Sequence, residues 1–248
     1  MPVSLAPTPT STPRPMVMGM PVPPPTPTPE AMVEEPTPET MLKECEPLPE
    51  AMVEEQTFQE VALIENYAAD RFFPRSIVVL KDVPVRIYLT RLHREHINSF
   101  TILPWVDSTA AIYPGEIGVI EFTPDQLGEF KIRNVGHHFA ATLTVVENTE
   151  EAEQLTAERG VQMFALIHSV DDFRIFPDRL VAQNGIPVTI HNISLIAEHR
   201  VSIEPFYVPE DINVRPREIS LFEFTPDRIG VFIICHELHG FTGKLVVK

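Results

Sequence analysis

A thiol and two imidazoles fall within five positions near the C-terminus, as Cys235, His236 and His239. The run Val231-Phe232-Ile233-Ile234 leads into them, and Lys244-Leu245-Val246-Val247-Lys248 follows. Short β-branched and aromatic runs read as strands, which sets the three donors on a tight loop between two strands. A soft thiolate beside imidazoles on one loop is a donor set suited to copper. The competing reading of Cys235 is a buried cysteine that only packs, because a thiol behaves there as a small apolar side chain.

The elements that would hold such a loop occur twice. Ala62-Leu63-Ile64, Phe73-Pro74, Pro84-Val85 and Glu95-His96 return as Ala165-Leu166-Ile167, Phe176-Pro177, Pro187-Val188 and Glu198-His199, all 103 positions later. After a one-residue gap, Glu121-Phe122-Thr123-Pro124-Asp125 returns as Glu223-Phe224-Thr225-Pro226-Asp227. Gly128, Phe130, Ile132, His137 and Phe139 then match Gly230, Phe232, Ile234, His239 and Phe241. The chain therefore reads as two copies of one unit, residues 59–147 and 162–248. Inside them, Val85-Arg86-Ile87-Tyr88-Leu89 and Val188-Thr189-Ile190-His191-Asn192 alternate as half-buried strands do. Short apolar runs parted by Pro, Gly, Asp and Asn predict an all-β sandwich or barrel. Residues 148–161 are a charged connector ending near Gly160, with at most a short helix expected. Each copy is near the lower size limit for a sufficient core, so packing of one copy on the other would help both.

Residues 1–58 differ in kind. They hold fifteen of the 26 prolines, in alternations such as Pro25-Thr26-Pro27-Thr28-Pro29, and their glutamates face only Arg14 and Lys43. Proline at this density blocks helices and ladders and favours extended, solvated chain. The segment is expected to be a disordered, semi-stiff tether. Pro29–Glu35 and Pro49–Glu55 repeat one another within it. The net charge of -16 argues against nucleic acid as a partner. No apolar run is long enough to span a bilayer, and no signal peptide is read at the N-terminus. Giving Cys235 to a metal leaves Cys45 without a partner, so no disulfide framework is expected.

Strand pattern and donor order together resemble the cupredoxins, the blue copper proteins, across both copies. The loop is similar to amicyanin/plastocyanin-type and oxidase subunit II-type loops. The resemblance implies two tandem cupredoxin-like Greek-key β-sandwiches after the disordered N-terminal segment. It places His199 as the first imidazole, Cys235 as the thiolate and His239 as the second imidazole of one mononuclear type 1-like copper. Two departures stand out: Arg200 follows the first histidine where Asn is common, and Thr242 stands where an axial Met is expected. The axial place is left to a distant Thr242, to Glu237 or to a backbone carbonyl. His236 faces away from Cys235 if the strand continues, and is a weaker candidate. In the first copy His96 and His137 hold the equivalent places, but Arg133 replaces the thiolate, and a guanidinium cannot ligate copper. That site is read as degenerate; His93 and His138 nearby leave a type 2-like copper or zinc as the alternative to metal-free histidines.

The implied function is electron transfer between redox partner proteins, outside the cytoplasm (in the periplasm or on the outer face of the membrane), with the tether giving reach and membrane tethering through a segment upstream. The alternatives are a two-domain copper oxidoreductase, nitrite reductase- or small laccase-like, and a copper-handling or structural interaction protein. Against the oxidoreductase, the chain has no His-X-His pair, and Ile234 precedes Cys235.

Overall fold

The computed structural model describes residues 58–92, 99–198, 200–207 and 215–248. The tether read over residues 1–58 lies outside them, but for Phe58. The first copy holds β1 (Gln59–Asn66), β2 (Arg71–Phe73), β3 (Ser76–Leu80), β4 (Val85–Arg91), β5 (Phe100–Ile102), β6 (Gly118–Phe122), β7 (Gly128–Asn134) and β8 (Ala140–Val146). The second holds β9 (Gln162–Ser169), β10 (Arg174–Phe176), β11 (Arg179–Ala182), β12 (Val188–Ser194), β13 (Val201–Ile203), β14 (Ile219–Phe224), β15 (Gly230–His236) and β16 (Phe241–Val247).

Strand order in the first copy is β2-β1-β4-β6 in one sheet and β3-β8-β7-β5 in the other. The second copy has β10-β9-β12-β14 and β11-β16-β15-β13, the same arrangement eight strands later. In each copy the first strand pairs in parallel with the fourth, and the third with the eighth. Leu63, Val85, Ile87 and Ile120 from one sheet share a core with Ile77, Phe100, Ile132 and Leu143 from the other. Each copy is a cupredoxin-like Greek-key β-sandwich, as expected. Matching details hold matching corners: the Gln59 amide donates to the Leu80 and Val83 carbonyls, and the Gln162 amide to those of Gln183 and Ile186.

Strands β1 and β9 are buried on both faces, which is why they read as apolar runs. Leu63 and Leu166 point into their own sandwiches, whereas Ala62, Ile64, Ala165 and Ile167 meet in a third cluster between the copies. The contact is reciprocal. Tyr88 packs on Phe176 at 4.8 Å, and its equivalent His191 stacks on Phe73, the equivalent of Phe176, at 4.3 Å. Such self-complementary pairing is what two-fold interfaces produce. The connector holds α1 (Thr149–Arg159), a fuller helix than expected, with Asn148 accepting from the Glu151 N–H at its start and Gly160 left-handed at its end. Among the described residues no helix is long and apolar enough to cross a membrane.

Burial at this contact pushes the His191 imidazole below its ordinary value of 6.5. The unfolded chain then binds the proton more readily than the folded one. The stability contributed by neutral His191 is whole above about 6.5 and is lost as pH falls from there through the folded value. Urea unfolding across this range should show that loss, and His191→Tyr, which installs the residue of the first copy, should remove it. An unchanged pH profile in the variant would place the titration elsewhere.

Candidate metal centre

The β15–β16 hairpin sets the donors. Its register pairs Ile234 with Gly243, Cys235 with Thr242 and His236 with Phe241. Residues directly opposite share a sheet face, and successive residues alternate. Phe241, Gly243, Leu245 and Val247 are buried along β16, with half-buried residues between them. Ile234, Phe241 and Leu245 belong to the core of the second copy. His236 therefore points into the sandwich, while Cys235 and Thr242 share the outer face of the sheet. The turn closes through Gly240, whose N–H donates to the His236 carbonyl at 2.8 Å from a left-handed φ of 72°. A side chain there would be strained, so glycine is the fitting residue.

Three imidazoles converge at this end. His236 and His168 are fully buried, with ring centroids 5.2 Å apart. His239 lies 4.9 Å beyond His236, and Phe241 stacks on His236 at 4.1 Å. His168 had no place in the donor set read from sequence. It is the last residue but one of β9, next to Ser194 at the end of β12 in the parallel register. The first copy fills the corresponding positions differently: Glu65 and Arg91 form a fully buried ion pair at 3.0 Å, and the Asn134 amide donates to the Glu65 carboxylate. Glu65, Arg91 and Asn134 thus occupy the places of His168, Ser194 and His236.

Cys235 is buried. Its sulfur is disulfide-bonded, which corrects the expectation that no disulfide forms. Ligation requires a thiolate, so this sulfur meets a metal only after reduction. Glu237, considered for the axial place, is held by Arg200 at 3.0 Å. Thr242 stands beside Cys235 across the hairpin, as an axial neighbour would need. His199 and His96 lie outside the described residues. His137 packs edge-on against Tyr67 at 4.9 Å, His138 is exposed, and Arg133 is exposed on the outer face of β7, the face that the buried Cys235 takes on β15. Among the described residues, no three His, Cys, Asp or Glu side chains are gathered into a ready-made metal site. A cavity of about 350 Å³ lies between α1 and the two copies, but no His or Cys lines it.

Neither a protein-family model nor a curated protein matches the chain. In structure it is similar to the metal-binding domain of the Cu(I)-exporting P-type ATPase CopA of Streptococcus pneumoniae, at 22% identity over 38% of this chain and 90% of that one, TM-score 0.34. It is similar to the copper nitrite reductase of Nitrosomonas europaea, at 13% identity over 77% of this chain and 94% of that one, TM-score 0.30. A third likeness is to auracyanin A, a blue copper protein of Chloroflexus aurantiacus, at 17% identity over 34% of this chain and 97% of that one, TM-score 0.29.

Proposed function

We propose that the chain is an extracytoplasmic electron-transfer protein that binds one mononuclear copper at the hairpin end of its second copy, through Cys235, His239 and His199. The observation that carries this reading is the hairpin itself, which delivers a buried sulfur and an imidazole to one end of a rigid sandwich. The reading rests on these residues rather than on the likeness to copper proteins. Copper passes between Cu(I) and Cu(II) with little rearrangement when imidazole and thiolate hold it on a fixed scaffold. The test is copper reconstitution of the reduced protein, followed by visible and EPR spectroscopy. A thiolate-to-copper charge-transfer band supports the reading, and its absence overturns it.

Electrons would enter beside His239. Leu238 is 39% exposed there, an apolar group on an acidic protein. Phe241 takes no part in this patch, because it is buried against His236. Apolar contact spares a docking partner the cost of desolvating unpaired ions, and a small contact suits a transient encounter. Negative charge on the remaining surface would steer a basic partner, less so as salt rises. Leu238→Asp should slow stopped-flow exchange with a small redox protein several-fold and leave the copper spectrum intact. An unaltered rate would place the port elsewhere.

A further inference from the structure

Cys235 and His236 lie on opposite faces of β15, so one ion cannot bind both while the β15–β16 register holds. The inner face carries its own donors. Two imidazoles bound to one ion at about 2.0–2.1 Å have ring centroids roughly 5–6 Å apart. His168 and His236 stand at 5.2 Å, both fully buried, and are delivered by rigid strands of the two facing sheets. The first copy shows what this place accommodates. There the buried guanidinium of Arg91 sits against Glu65, with Asn134 completing the set. The second copy removes that cation by putting Ser194 at the position of Arg91, and puts histidine at the positions of both Glu65 and Asn134. A place filled by a covalently attached cation in one copy is thereby furnished with imidazole nitrogens in the other. Imidazole is a ligand for zinc and copper ions.

We infer that His168 and His236 form a second metal seat on the inner face of the second copy, separate from Cys235, for a divalent transition-metal ion. His239, 4.9 Å beyond His236, is the nearest further imidazole among the described residues. Because the seat needs no sulfur, it works while the Cys235 disulfide is intact, when the thiolate seat of the proposed function cannot.

The test uses the full chain with its disulfide intact, titrated with Cu²⁺ in the presence of a weak competing chelator and read by EPR. The expected result is one bound ion with nitrogen hyperfine structure and no thiolate charge-transfer colour, retained in Cys235→Ser. His168→Leu and His236→Leu should each weaken binding at least about tenfold. The triple change His168→Glu, Ser194→Arg, His236→Asn installs a set that the first copy already packs, so it should fold and bind no ion at this place. Thermal melting checks folding of each variant. Equal binding by the triple variant and the wild type would mean that surface histidines hold the ion, and would overturn the inference. If oxidised protein binds nothing but reduced protein turns coloured with copper, the inference fails and the proposed function stands. If oxidised protein binds as expected but reduced protein never colours, the inner seat stands and the thiolate reading fails.

Discussion

Reduced, copper-loaded protein is expected to lose its entire visible charge-transfer band on Cys235→Ser. The band of a thiolate site arises because electron density on sulfur moves onto Cu(II). A serine hydroxyl is hard and un-ionised at neutral pH, so it offers neither that density nor the soft donor that helps hold Cu(I). The disulfide sharpens the experiment. Cys235 presents a thiolate only after two electrons reopen its S–S bond, so oxidised wild type should resemble the serine variant in colour. Absorbance and EPR on the four samples, wild type and variant, oxidised and reduced, check this. Colour that survives the substitution would end the thiolate reading.

The face taken by Cys235 is where sequence reasoning stopped. Alternation identifies a half-buried strand only when one face is polar. In Phe232-Ile233-Ile234-Cys235-His236 nearly every residue is apolar, so two opposite parities fit. Only the pairing with β16, whose inward set is Phe241, Gly243, Leu245 and Val247, decides between them. A slip of one residue would exchange Cys235 and His236 between faces. His168 was hidden for a related reason: it ends a run that is buried on both faces, beside Ile167, which belongs to the contact between the copies. The repeat itself held a signal for it. At an offset of 103, His168 aligns with Glu65 and Ser194 with Arg91, polar residues closing apolar strands in both copies. The sandwiches and their order needed less, because turn residues and the internal repeat fix strands without fixing which face a given side chain takes.

The same polar set yields the largest stability effect expected in the first copy. Arg91 is 1% exposed and Glu65 is 1% exposed, so water screens neither charge. Taking two ions out of water costs several kcal/mol each, and their attraction repays this only while both are present. Arg91→Leu leaves the Glu65 carboxylate buried with the Asn134 amide and no cation. The expected loss is about 3–5 kcal/mol, a large share of a typical total of roughly 5–15 kcal/mol. Glu65→Leu combined with Arg91→Leu removes both charges and fills the space with apolar atoms, so it should recover most of that loss. The two changes are therefore strongly non-additive, as residues in one ion pair are. Urea unfolding of the two single variants and the double variant measures the coupling. A double variant no more stable than Arg91→Leu would mean that the cost lies in packing around the guanidinium stem rather than in an orphaned charge. It would also weaken the comparison that makes Arg91 the counterpart of a metal ion between His168 and His236.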